Sequence, residues 1–207
     1  VARSQASLSD EYGTPPELFA ELDKQFHFVI DAAANRENRL CPFFFSAAER
    51  PGDGSLGDAL SGSWNPWEDE PDHPSPVIWC NPPYSSPLKT RFVAKAAKEA
   101  WEGRCTVVML LPVDTSTAWW HDFVEPVRKG LVPGDVVFLR GRLRFTYQGK
   151  KLGPARFASC VVVFGRVTQQ LIEDSQKRDQ TASEKDAETR RLIKEDHEKF
   201  KICAGTE

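Results

Sequence analysis

Val77-Ile78-Trp79-Cys80-Asn81-Pro82-Pro83-Tyr84 reads as a buried strand that runs straight into a stiffened polar turn. The apolar run from Pro76 to Cys80 carries no charge and no glycine, and its length suits a strand covered on both faces. After the turn, Leu88 to Glu102 places Phe92, Val93, Ala96, Ala97 and Ala100 at helical spacing. Cys105 to Leu111 is a second apolar run, which Pro112 is expected to stop. A strand, a helix and a strand in that order predict a parallel pair joined by a crossover.

Working outward, Thr14-Pro15-Pro16-Glu17 reads as a capping box with proline at the first helical position. Leu18, Phe19, Leu22 and Phe26 continue that helix. A short strand is expected from Phe26 to Ile30, ending at Asp31-Ala32-Ala33-Ala34. Residues 35 to 75 are rich in Gly, Pro and acidic residues and predict an irregular segment. Ala118 to Arg128 reads as a helix. Val136 to Phe145 and Phe157 to Phe164 read as two strands of a hairpin joined through Gln148-Gly149-Lys150. The fold class is therefore α/β, a mostly parallel sheet with an antiparallel edge hairpin. Ligands of such sheets collect at the carboxyl ends of the strands, and Asp31, Asn81 and Asp114 all fall just after strands.

The chain has 207 residues, enough for one domain with a sizeable core and an extension. A domain over 1–166 is expected, followed by a charged helical or disordered extension over 167–207, where Leu171, Ile172, Leu192, Ile193, Phe200 and Ile202 are thinly spread. The formal net charge of -3 does not decide for or against a nucleic-acid partner. No apolar run reaches the length of a membrane span, and Val1-Ala2-Arg3-Ser4-Gln5 is too polar for a secretory signal. The absence of a starting Met fits a processed or trimmed chain. Cys41, Cys80, Cys105, Cys160 and Cys203 are odd in number and widely spaced, which favours free thiols over a disulfide framework. His27, His73, His121 and His197 are equally scattered, so no metal site is expected.

The turn after the first apolar strand suits one kind of chemistry. An amino group on an aromatic ring is a poor nucleophile because its lone pair is delocalised. Hydrogen bonds accepted from its N–H groups turn that lone pair toward an electrophile. The side-chain oxygen of Asn81 is one acceptor, and the carbonyl of Pro82, held by two stiff residues, is a second. Tyr84 offers a flat face for a ring. A sulfonium methyl donor is already activated, so such a site needs positioning more than acid–base catalysis. The bland alternative is a plain proline turn.

The chain resembles the phage-type DNA N-6-adenine methyltransferase family, also called Dam-like, over roughly residues 9 to 165. The resemblance rests on the order of several segments. They are Asp10-Glu11-Tyr12-Gly13-Thr14-Pro15-Pro16, Phe28-Val29-Ile30-Asp31-Ala32-Ala33-Ala34, Asp58-Ala59-Leu60-Ser61-Gly62-Ser63-Trp64 and the strand through Asn81-Pro82-Pro83-Tyr84-Ser85. Leu110-Leu111-Pro112, Trp119-Trp120-His121 and Phe138-Leu139-Arg140-Gly141-Arg142-Leu143-Arg144-Phe145 complete it. The resemblance implies a Rossmann-like fold, S-adenosylmethionine as donor and adenine in double-stranded DNA as acceptor. It also implies a cytoplasmic location in a bacterial host cell. It places Asn81, Pro82, Pro83 and Tyr84 at the target amine, and makes Tyr12, Thr14, Pro15, Asp31 and Asp58 candidates for the donor pocket. Thr14 as a helix cap, Asp31 as a turn residue and Asp58 as a loop residue are the structural alternatives, and Trp64 reads as core. The chain departs from larger amino-methyltransferases in one place: Asp31-Ala32-Ala33-Ala34 stands where a glycine-rich loop is expected.

From Phe138 to Arg166 there is no Asp or Glu, while Arg140, Arg142, Arg144, Lys150, Lys151, Arg156 and Arg166 are present. Alternation puts Arg140, Arg142 and Arg144 on one face of the expected strand, a stripe suited to DNA phosphates. The alternative is a solvated face balanced by the acidic loop from Glu68 to Asp72. Ser116, Trp119, Trp120 and His121 either line the entry for a flipped base or, for the tryptophans, belong to the core. Adenine-N6 methylation leads. Methylation of a protein glutamine amide is the second enzymatic reading, and RNA adenine or cytosine N4 is less favoured. A DNA-binding accessory protein with a decayed site is the reading from another class. The oligomeric state is open.

Overall fold

The computed structural model describes residues 8–70 and 72–166. The charged extension expected over 167–207 lies outside them. The described chain is a six-stranded sheet with helices on both faces. The strands are β1 (Ile30–Asp31), β2 (Phe43–Phe44), β3 (Val77–Cys80), β4 (Thr106–Pro112), β5 (Gly134–Phe138) and β8 (Ser159–Phe164); their order is β2-β1-β3-β4-β8-β5. The first four are parallel, and β8 runs antiparallel to both β4 and β5. The expected mixed sheet, mainly parallel with antiparallel strands at one side, is present. Among the described residues no helix is long and apolar enough to cross a membrane.

Two-residue alternation sorts the core. Ile78, Cys80, Val107, Met109, Leu111, Cys160, Val162 and Phe164 share one cluster with Phe92, Val93, Ala96, Ala97 and Ala100 of α2 (Leu88–Trp101). Small residues on that helix let it lie close to the sheet. Trp79, one position out of phase with Ile78, meets the rings of Phe19 and Phe28 at 5.7 and 5.5 Å. Phe19 belongs to α1 (Pro16–Phe26). Trp64 is fully buried with its indole N–H on the Ala59 carbonyl at 2.7 Å, as a core residue should be.

Several expectations need correction. Pro15, not Thr14, is the N-cap of α1, with Pro16 following. A proline at the cap has no N–H to donate the reciprocal bond of a capping box. The expected strand from Phe26 starts late. α1 continues through Phe26 and is closed by His27 at φ 53, so pairing begins only at Ile30. β4 runs through Pro112 instead of stopping before it. Val113 N–H still bonds the carbonyl of Ala158, just ahead of β8, so the missing proline N–H points to the other side, where pairing to β3 ended at Met109. Ala118 to Arg128 is helical, but with a π segment, Trp120–Val124, ahead of α3 (Glu125–Arg128).

The largest difference concerns the hairpin. β5 ends at Phe138, and Gln148-Gly149 instead turns a separate two-stranded ribbon of β6 (Thr146–Tyr147) and β7 (Lys150–Lys151). Residues 139–158 thus leave the sheet before β8 pairs back with β5. Arg140, Arg142 and Arg144 lie on irregular extended chain, not on a strand, although the alternation survives: the arginines are exposed and Phe145 is buried.

Candidate active site

The chain changes direction across the sheet at β1, which has β2 on one side and β3 on the other. The crevice at such a point collects ligands in open α/β sheets. Asp31 ends β1, Asn81 follows the last residue of β3, and Asp114 stands two residues past β4. Because these strands are parallel neighbours, the three polar residues share one edge, as the sequence pattern predicts.

Asn81 is held by one half of its amide. Its Nδ2 donates to the Tyr12 carbonyl at 2.7 Å, which fixes which way the amide faces. Its Oδ1 is buried and has no hydrogen-bond partner. A buried acceptor without a donor is costly and uncommon. It is also what a site built to receive an N–H leaves behind. The rest of the turn is pinned. The Tyr84 hydroxyl donates to the Leu110 carbonyl at 3.1 Å, and Ser85 N–H donates to Asp10 Oδ1 at 2.7 Å. Pro82 is buried and Pro83 half-buried beside them.

Tyr84 departs from the expected open stacking face. Its ring is 8% exposed and meets Tyr12, Phe145 and Phe157 edge-on. Burial holds its hydroxyl well above the usual phenol range, so it stays protonated as a donor to Leu110. Here the tyrosine fixes the turn from beneath.

Asp31 is buried. Its Oδ1 accepts from Ala33 N–H at 3.3 Å and its Oδ2 from Leu40 N–H at 3.1 Å. Loss of hydration raises its pKa to about 6, against those two hydrogen bonds, which lower it. Thr14 and Pro15 are buried and Tyr12 half-buried at the start of α1. Asp58 is exposed, and its Oδ1 accepts from Leu60 N–H at 3.0 Å, the turn-forming bond of the structural alternative.

Of the residues expected at a DNA surface, Arg140, Arg142, Arg144 and Lys150 are exposed. Among the described residues none has a carboxylate partner; the nearby Lys151 pairs with Glu17 at 3.4 Å. The acidic loop does not balance them: Glu68 pairs with Arg104 instead, at 3.1 Å. Ser116 and His121 are exposed, and Ser116 Oγ donates to Asp114 at 3.4 Å. Trp120 is a correction. It is 1% exposed and belongs to the core cluster, so it contributes to the core and not to a contact surface. Phe145 joins the basic segment to the Asn81–Tyr84 turn, meeting Tyr84 edge-on at 5.9 Å and stacking on Tyr12 at 4.9 Å.

Two residues escaped the sequence reading. Asp10 heads the first segment that carries the resemblance, but nothing in the sequence marks it as a partner of the turn. Lys89 did leave a signal: a cation in the first turn of a helix opposes the helix dipole. It is held by Asp114 at 3.7 Å and lies over the Trp119 ring at 5.0 Å, tying the two strand-end loops together.

Comparison with known proteins adds the family. The family described as DNA N-6-adenine-methyltransferase (Dam) matches residues 2–190. The chain belongs to this family. The match runs past the domain boundary expected at 166. A DNA N-6-adenine-methyltransferase of Escherichia phage T1 is 34% identical over 117 residues, 56% of this chain and 41% of that protein. One from Haemophilus phage HP1 (strain HP1c1) is 29% identical over 130 residues, 62% of this chain and 64% of that protein. The chain therefore spans less than two thirds of either relative.

Proposed function

We propose that this protein transfers a methyl group from S-adenosylmethionine to N6 of an adenine flipped out of double-stranded DNA. The observation that carries this reading is the Asn81 amide. Tyr12 holds its nitrogen, and its buried oxygen lacks a donor at the ligand-collecting edge of a Dam-family chain. An adenine N6–H is a donor of the required kind. Asn81 Oδ1 and the Pro82 carbonyl would accept hydrogen bonds from the two N6–H groups and turn the nitrogen lone pair outward. N6 lies within the base-paired stack of a duplex, so the base has to leave the helix to reach this recessed oxygen.

The sheet suits a Rossmann-like reading, with the donor at the end of β1. Asp31 there fits its chemistry as a buried carboxylate, with Tyr12, Thr14, Pro15 and Asp58 as further candidates. Asp31 offers negative charge to the donor's ammonium group. When bound, the donor supplies an activated sulfonium methyl group. The exposed arginines 140, 142 and 144 and Lys150 would take DNA phosphates, with Ser116 and His121 beside the entry. The reading also implies action inside a bacterial host cell, and a methyltransferase unit over 1–166 with a separate extension.

The test is incubation with labelled S-adenosylmethionine and unmethylated duplex DNA, followed by digestion to nucleosides. Label in N6-methyladenosine is expected. A folded protein that labels no nucleoside overturns the proposal, and label in a protein glutamine would replace it.

A further inference from the structure

We propose that Asp10 is a positioning residue, which keeps the Asn81 oxygen aimed at its target through a strap made of residues 10 to 13. The inference rests on the proposed reaction for its kinetic consequence, but the strap itself is geometric. Asp10 and Tyr12 lie about seventy residues before the catalytic turn in sequence, yet each bonds it. The Asp10 carboxylate accepts from Ser85 N–H, and the Tyr12 carbonyl accepts from Asn81 Nδ2, both at 2.7 Å. The two bonds bracket the Asn-Pro-Pro-Tyr turn at its two ends.

The strap is also fixed on its far side. Gly13 and Thr146 exchange both backbone hydrogen bonds, at 2.8 and 2.9 Å, and the Tyr12 ring stacks on Phe145. A side chain at Gly13 would collide with the Thr146 hydroxyl, so the close approach requires the glycine. The strap therefore lies between the catalytic turn and the basic segment and touches both.

The chemical consequence concerns the direction of an amide. An asparagine amide can turn over, exchanging its oxygen and nitrogen. With Nδ2 committed to the Tyr12 carbonyl, Oδ1 is left facing the site with its lone pairs free. If the strap lifts, the amide gains a second orientation in which a donor faces an incoming N–H, and that orientation cannot activate an amine. Asp10 acts by closing off that orientation; it need not touch substrate.

Asp10→Ala should lower kcat about tenfold, the worth of one hydrogen bond, while KM for DNA and for the donor stays within about twofold. Asp10→Asn should restore kcat, because its amide oxygen still accepts from Ser85 N–H. Independently of activity, side-chain amide exchange at Asn81, followed by NMR, should be slow in the wild type, faster in Asp10→Ala and slow again in Asp10→Asn. An Asp10→Ala enzyme with wild-type kcat overturns the inference. So does an Asp10→Asn variant as impaired as Asp10→Ala, or an Asn81 amide exchanging freely in the wild type. If the wild type transfers no methyl group but shows the slow exchange, the proposed reaction fails and the strap stands.

Discussion

In the turn from Asn81 to Ser85 the Asn81 nitrogen, the Tyr84 hydroxyl and the Ser85 N–H all have partners, and one buried oxygen does not. In residues 139–158 the pattern is reversed. The backbone is tied down at Leu143, Phe145 and Thr146, while the side chains of Arg140, Arg142, Arg144, Lys150 and Arg156 are exposed and meet no carboxylate among the described residues. One region has fixed side chains around a single vacancy for a hydrogen bond; the other has a fixed path and free charges. The first arrangement suits an event decided by tenths of an ångström. The second suits a polyanion, whose phosphates can be met by many side-chain geometries. The two functions should therefore be separable by mutation.

The largest expected effect follows from Asn81→Ala. It removes the unpartnered oxygen and, with it, the acceptor that would steer the amine. Removal of one preorganised polar group from a transition state costs on the order of a hundredfold in kcat. Stability should change by only about 1 kcal/mol, since one hydrogen bond to Tyr12 is lost. DNA affinity, measured by anisotropy, should not change. If DNA affinity falls in step with kcat, the separation between the two regions is wrong.

The opposite profile is expected for Arg142→Glu combined with Arg144→Glu. DNA affinity should fall on the order of tenfold or more at moderate salt, and the slope of log affinity against log salt should lessen by about 2. The melting temperature should stay put, because neither arginine has an ion pair among the described residues to lose. Glu99 sharpens the contrast between free and committed charge. It is 1% exposed and receives Lys95, Arg104 at 3.4 Å and Trp64 N–H at 3.1 Å. Glu99→Ala should cost about 3 kcal/mol of stability, by leaving Lys95 and the buried Trp64 N–H without their acceptor, and leave the salt slope alone. A stable Glu99→Ala protein, or an unchanged salt slope in the double arginine variant, would break the comparison.

These differences bear on what could be read from the chain alone. The apolar runs at Val77–Cys80 and Thr106–Pro112 were legible because strands covered on both faces leave no room for polar residues. The inner face of α2 was legible through its period. The edge carrying Asp31, Asn81 and Asp114 followed from strand order. The excursion was not legible as such, because alternation of arginine with Leu143 and Phe145 arises from any extended chain against a core, strand or not. β1 and β2 are two residues each, too short for a period to register. Asp10 was invisible for a stronger reason: its partner is a backbone N–H, and backbone groups carry no sequence signature. The burial of Tyr84 and Trp120 was undecidable from composition, since a large aromatic serves equally as core or as platform.

The smallest expected effect concerns Asp31, the one titrating group at the site with a shift near neutral pH. Its pKa is raised to about 6 by burial, from 3.8. Between about pH 4 and 6 the folded protein therefore holds a proton that the unfolded chain has released, so this group lowers stability as pH rises through that window. Donor affinity should move the other way. An ammonium needs the ionised carboxylate, which is a minor species at pH 5 and the main one at pH 7, a change of about tenfold. Calorimetric titration with S-adenosylmethionine at the two pH values should show tighter binding at pH 7, while a carboxyl carbon-13 titration locates the midpoint directly. A midpoint near 4, or equal affinity at both pH values, would remove Asp31 from the donor site. The hydrogen bonds to Ala33 and Leu40 would then be its whole role, and the turn after β1 would be structural, as the other bonded groups of the catalytic edge are.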